Sequence, residues 1–92
     1  MRKNKITSAL ELVIFGVKLC KDSDQVEIPV YVTLEEINEE NINKLIENGM
    51  DVEGTLRRTK QAYGKIKLSS LQNIIDLDIV KEIDVGREIK PL

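Results

Sequence analysis

The order of the apolar patterns along the chain constrains its fold more than any other feature of the sequence. Four segments alternate apolar and polar residues, as half-buried β-strands do; they cover residues 28–34, 51–57, 62–68 and 80–85. The intervals after the first and the third of these segments contain apolar residues at helical spacing. The order strand, helix, strand, strand, helix, strand predicts an α+β fold. We expect a ferredoxin-like βαββαβ sandwich, a four-stranded antiparallel sheet with two helices on one face.

The first strand is predicted to lie in the centre of the sheet, because one of its faces is wholly apolar and the other is mixed. The apolar face carries Ile28, Val30, Val32 and Leu34, and the mixed face carries Pro29, Tyr31 and Thr33. In the next helix, Asn38 is a good N-cap and Gly49 is a typical C-terminal stop. Ser69 followed by Gln72 has the spacing of a capping box for the second helix.

The two middle strands are predicted to form a hairpin with small residues on their inner faces. The inward sets are Val52, Gly54 and Leu56, then Ala62, Gly64, Ile66 and Leu68. Tyr63, Lys65 and Lys67 then face outward, on the same side as Tyr31 and Thr33.

An extra N-terminal helix is predicted over residues 5–21. One apolar stripe contains Ile6, Leu10, Val13, Val17 and Cys20. A second set widens it, Leu12, Phe15 and Leu19, so we expect a helix buried on two sides with Cys20 in the core. The whole chain, 1–92, is interpreted as one domain, with an N-terminal helix in 1–24, a βαββαβ core in 28–85 and a tail in 86–92.

The composition argues against several classes of function. The 92 residues suffice for one small domain, and the net charge of −2 disfavours a nucleic-acid partner. Histidine is absent, and no zinc-ligand spacing or phosphate-binding glycine loop occurs. We therefore expect no enzymatic activity, cofactor or metal. The single cysteine carries no disulfide signature, and charged residues interrupt the only N-terminal apolar run, so a soluble cytoplasmic chain without membrane association is expected.

Three segments of the chain resemble a known family. They are the run Lys5 to Leu10 ahead of the Ile-Pro-Val strand, the run Gly64 to Leu71, and the closing run Val80 to Leu92. Together these are similar to the propeptide-like N-terminal domains of bacterial subtilisin-like serine proteases. The resemblance implies a ferredoxin-like propeptide fold that acts as an inhibitor and folding chaperone of the protease, in cis or in trans.

The same resemblance implies two contact surfaces. In that family the open face of the sheet rests on two protease helices and the C-terminal tail lies along the substrate cleft. Carried over to this chain, the docking face would be Tyr31, Thr33, Tyr63, Lys65 and Lys67. The tail in the cleft would be Arg87, Glu88, Ile89, Lys90, Pro91 and Leu92.

Other interpretations stay open. RNA-recognition domains share this order of elements and stack bases on aromatic residues of the first and third strands, where this chain has Tyr31 and Tyr63. A small regulatory or oligomerisation module of the same topology is a further alternative, and an open sheet face would also suit a homodimer. No catalytic domain follows Leu92, so the chain is either free-standing or a fragment of a longer protease; the initial methionine favours the first.

Overall fold

Four strands form one antiparallel sheet in the order β2-β3-β1-β4. The computed structural model describes residues 5–22 and 25–86. The elements are α1 (Ser8–Lys18), β1 (Glu27–Leu34), α2 (Glu39–Glu47), β2 (Met50–Leu56), β3 (Gln61–Lys67), α3 (Leu68–Ile75) and β4 (Val80–Val85). This confirms the predicted ferredoxin-like α+β arrangement, with β1 in the interior of the sheet and one helix ahead of the core.

The core lies on one side of the sheet, between the strands and the helices. The apolar face of β1 is buried as predicted, and each of its four residues exposes 3% or less of its surface. Each helix adds side chains to the same cluster: Leu10 from α1, Leu45 from α2, Leu71 and Ile74 from α3. Because all three helices contribute to one core, they cover the same face and leave the other side of the sheet open.

Both ends of α2 follow the prediction. The Asn38 side chain accepts a hydrogen bond from the backbone N–H of Asn41 at 2.8 Å and so caps the first turn. Gly49 has a φ of 105°, a conformation that favours glycine, and Met50 is buried directly after it. The turn therefore leads from the helix straight into β2.

The capping box predicted for the second core helix is wrong. Helix α3 begins at Leu68, one residue before Ser69, and its N-cap is Lys67, whose side chain makes no capping bond. The strand passes into the helix without a loop, and the Leu68 N–H donates to the Val26 carbonyl at 3.2 Å. Leu68 is thus the first residue of a helix and not the last inward residue of β3.

Residues 5–7 are extended and not helical as predicted. Ile6 forms a parallel bridge with Ile83, so this segment covers the outer edge of β4. The Lys5 ammonium donates to the carbonyls of Ile75 and Leu77, each at 2.8 Å, which satisfies oxygens at the end of α3. Helix α1 starts only at Ser8, after Thr7 has capped it through a bond from the N–H of Leu10.

The prediction that α1 is buried on two sides is also wrong. Leu10 faces the core, but Leu12, Phe15 and Leu19 expose 74%, 67% and 76% of their surfaces. Cys20 is exposed as well and is not a core residue. The helix lies on the outside of the domain with a single inward stripe, and no described segment covers its outer side.

Candidate functional site: the open sheet face

The open sheet face is the side of the sheet opposite the three helices, and two tyrosines occupy its centre. Tyr31 of β1 and Tyr63 of β3 stand directly opposite each other in the antiparallel register. Their ring centroids are 6.0 Å apart, and their planes meet at 64° in an edge-to-face contact. Both residues are only half-buried, in contrast to the fully buried residues that alternate with them. The pair therefore forms an aromatic surface that solvent reaches.

A β-bulge determines what lies beside Tyr63. In β2, Val52 pairs with Gly64 and Gly54 pairs with Tyr63, so Glu53 is an extra residue in the ladder. The bulge reverses the facing of the residues that follow it. Gly54 and Leu56, predicted from the sequence to face the core, lie on the open sheet face instead, and Leu56 is 42% exposed.

Gly54 gives Tyr63 its position over β2. A Cβ at Gly54 would meet the hydroxyl and the ring of Tyr63. With glycine there, the ring occupies the space that a side chain at position 54 would need. The bulge and the glycine together therefore allow the Tyr63 ring to extend over β2.

Polar side chains surround the tyrosine pair on the β1 and β3 strands. Thr33 accepts a hydrogen bond at 3.2 Å from the side-chain amide of Gln61, the residue opposite it. Lys65 stands between Pro29 of β1 and Asp51 of β2. Of the five residues predicted for the docking face, the structure thus brings four together around the tyrosine pair.

Lys67, the fifth, lies at the end of β3 opposite Glu27, two residues beyond Lys65. It is exposed and belongs to the margin of the face. Its position at the N-cap of α3 fixes its backbone and leaves its ammonium free to reach outward. Lys67 would therefore contact only a partner that extends past the end of the sheet.

The β4 side of the face is acidic. Asp84 is paired with Tyr31, and Glu82 with Thr33. Asp84 accepts bonds from the Thr7 hydroxyl at 2.7 Å and from the N–H of Val85 at 2.8 Å, so its carboxylate is held in place. With Asp51 and Glu53 on the β2 side, carboxylates border the tyrosine pair on both flanks.

A shallow cavity of about 150 Å³ lies next to the tyrosine pair and reaches the end of β4. Its lining includes Tyr31, Tyr63, Lys65, Glu53 and Gly86. The N–H of Gly86 donates to the Pro29 carbonyl at 2.8 Å, which extends the ladder by one residue. The chain therefore continues past residue 86 from a point beside the open sheet face. The predicted cleft-binding tail, Arg87 to Leu92, lies outside the described residues.

Neither a metal site nor a membrane-spanning helix occurs in the described part of the chain. Across residues 5–22 and 25–86, acidic and cysteine side chains form no cluster that could hold a metal ion. Within the same ranges, no helix is long and apolar enough to cross a membrane.

Comparison with known proteins gives no match, whether the chain is compared with protein-family models, with curated proteins or with solved structures. The resemblance to propeptide-like domains therefore remains a prediction from the residues. Structural support for a function has to come from the geometry of the open sheet face.

Proposed function

We propose that this chain is a non-catalytic docking domain that binds a subtilisin-like serine protease through its open sheet face and acts as its inhibitor, its folding chaperone or both. The observation that carries the proposal is the Tyr31–Tyr63 pair at the centre of an uncovered sheet face. Tyrosine is enriched among the residues that dominate binding energy at protein interfaces. The choice of a protease as the partner comes from the resemblance of the sequence.

The place where the chain leaves the end of β4 is a second observation in favour of the proposed function. Gly86 lies against β1 at the border of the cavity beside the tyrosines. A partner seated on the open sheet face would thus be close to the point from which residues 87–92 depart. A division of work between face and tail is compatible with this placement, and the tail would act by adding an extended strand in the cleft.

The distribution of charge favours a protein over RNA as the ligand. Single-stranded nucleic acids bind grooves that combine stacking aromatics with positive charge along the phosphate backbone. Tyr31 and Tyr63 supply the aromatics on the two strands that RNA-recognition domains use, so RNA binding stays the alternative. The carboxylates of Asp51, Glu53 and Asp84 flank them and would repel phosphates, and Lys65 supplies a single positive charge in the lining of the adjoining cavity.

Inhibition kinetics can distinguish the contribution of the open sheet face from that of the C-terminal tail. The protease is a purified subtilisin-like enzyme from the genome that encodes this chain. We expect Tyr63→Ala to weaken binding and inhibition together by about 30-fold, the effect of losing an aromatic hot spot. Deletion of residues 87–92 should abolish inhibition and leave measurable binding, because the face would remain intact.

The matched control is Ile46→Ala, which shortens a side chain that is 52% exposed on α2, away from the open sheet face. It should leave binding and inhibition unchanged. Circular dichroism of each variant verifies that it is folded. An intact chain that neither binds nor slows the protease would contradict the proposal. The cytoplasmic location expected from the single cysteine stays a prediction in either case.

A further inference from the structure

The outer side of α1 carries an apolar stripe that the domain itself does not use. Leu12, Phe15 and Leu19 expose 74%, 67% and 76% of their surfaces and recur at spacings of three and four residues. The opposite side of the same helix supplies Leu10 to the core. The outer stripe therefore points away from the sheet, on the side of the molecule opposite the open sheet face.

Gly16 lies within this stripe, and the described residues give no reason for a glycine there. A glycine inside a helix costs up to about 1 kcal/mol relative to alanine. A Cβ built at Gly16 would have nothing within 4 Å, so no contact within the described part of the domain needs its absence. A glycine on an exposed helix surface is explained if another molecule approaches closely at that point.

We propose that two copies of this chain associate through α1, with the two helices antiparallel about a twofold axis between residues 15 and 16. In this arrangement, residues of the two copies that lie at the same height along the helix axis have numbers that sum to 31. Leu12 then packs against Leu19 of the second copy, and the Phe15 ring lies over the other Gly16. The stripe is complementary to itself, as a twofold interface requires.

Charge agrees with the same orientation. Glu11 and Lys18 flank the stripe on one side, seven residues apart. In antiparallel helix pairs, flanking positions on one side of the stripe face the same side of the other helix, so Glu11 of each copy would lie beside Lys18 of its neighbour, offset by about 3 Å along the axis. A parallel pair would not bring these opposite charges together.

A second copy fits this surface better than a lipid bilayer. The described acidic and basic residues of segment 8–22 are Glu11, Lys18, Lys21 and Asp22, which sum to no net charge. Interfacial helices are typically rich in lysine and arginine on the polar face, and this segment lacks that excess. A shallow groove lined by Ile14, Phe15 and Lys18 adjoins the stripe and can extend the buried area.

The size of the stripe predicts a weak dimer. Specific interfaces bury at least about 1,200 Å² in total, and a single helix stripe falls near this lower end. We therefore expect a dissociation constant on the order of 1–100 μM. Sedimentation equilibrium up to about 1 mM chain should show a rise from 10.5 kDa to twice that mass.

Phe15→Glu should raise the dissociation constant about 30-fold or more, because it removes the central apolar contact. Ile46→Glu, the same kind of change on the exposed side of α2, is the matched control and should leave association unchanged. Gly16→Ala should have two opposite effects. It should raise the melting temperature, since alanine favours the helix, and weaken the dimer, since it fills the space for Phe15.

Cysteine cross-linking tests the orientation. Chains with Leu12→Cys and chains with Leu19→Cys, both also carrying Cys20→Ser, should form a mixed disulfide when combined under mild oxidation. Each should cross-link poorly with itself, because like positions are about 10 Å apart along the antiparallel axis. A parallel pair would give the reverse result and overturn the proposed arrangement.

A monomeric chain at 1 mM would overturn the proposal. A dimer that Phe15→Glu leaves intact would do the same, since it would place the interface elsewhere, for example on the open sheet face. The third contrary result is a monomer that binds vesicles of phosphatidylcholine with phosphatidylserine and loses this binding on Phe15→Glu. That outcome would assign the stripe to a membrane surface.

Discussion

Val32→Asp should unfold the domain. Val32 lies on the central strand β1 with 0% exposure, between Ala62 of β3 and Ile83 of β4. A carboxylate at this place has no polar partner, and burying it costs several kcal/mol. A domain of this size has a total stability of only about 5 kcal/mol. Circular dichroism at 25 °C should show loss of the cooperative thermal transition.

Thr55→Asp is the control for this prediction. It introduces the same carboxylate into a strand, but Thr55 is exposed near the hairpin of β2 and β3. It should shift the thermal midpoint only slightly, since surface substitutions usually change stability by less than about 0.5 kcal/mol. A Val32→Asp protein with an unchanged midpoint would show that this side of β1 is not the core.

Gly64→Ala should destabilise the domain by about 3 kcal/mol, the upper end of the usual cost of overpacking. A Cβ at Gly64 would coincide with the backbone carbonyl oxygen of Asp51 and would lie 2.9 Å from its carbonyl carbon. These atoms belong to the backbone of β2 and cannot rotate away as a side chain can. The strand would have to shift or unpair, and we expect the melting temperature to fall by about 15 °C.

Gly16→Ala is the matched control, because it makes the same change where nothing lies within 4 Å of the new methyl group. It should stabilise the domain by up to about 1 kcal/mol. The two substitutions should thus move the melting temperature in opposite directions. Equal effects of both would mean that the close approach of β2 to Gly64 is not present in solution.

The main features of the fold were predictable because the alternation within β1 determines which of its residues are buried. A strand with one wholly apolar face, such as Ile28 to Leu34, has to have that face covered, and the helical spacing of apolar residues between the strands indicates that helices cover it. Asn38 marks the start of α2 through its side chain, and Gly49 marks the end because glycine readily adopts a positive φ. These features depend on neighbouring residues alone, so the sequence is enough to find them.

The bulge at Glu53 depends on pairing between strands and was not predicted. One extra residue in β2 turns Gly54 and Leu56 to the open sheet face, yet the local alternation continues without a visible break. Gly54 is a signal that could have found it, because glycine within a strand often marks a bulge or a close backbone approach. The alternation of the sequence placed Gly54 on the inner face of the strand instead.

Helix α1 shows a second reason why burial cannot always be predicted from the sequence. Apolar residues on both of its sides predict burial on both sides, but burial also needs something to cover them. Helix α1 packs on the core through its opposite side and no described segment lies over its outer side, so Leu12, Phe15 and Leu19 remain exposed. Apolar residues that no other part of the domain covers indicate a surface for association with another molecule and not a part of the core.

An NMR titration with a protease decides whether the open sheet face is a binding surface. The chain is labelled with ¹⁵N and mixed with a subtilisin-like protease from the same genome whose catalytic serine has been replaced by alanine. We expect the backbone amides of β1 and β3 around Tyr31 and Tyr63 to shift or broaden while those of α2 do not. No change with stoichiometric protease, changes confined to the helices, or changes produced only by single-stranded RNA would each contradict the proposed function.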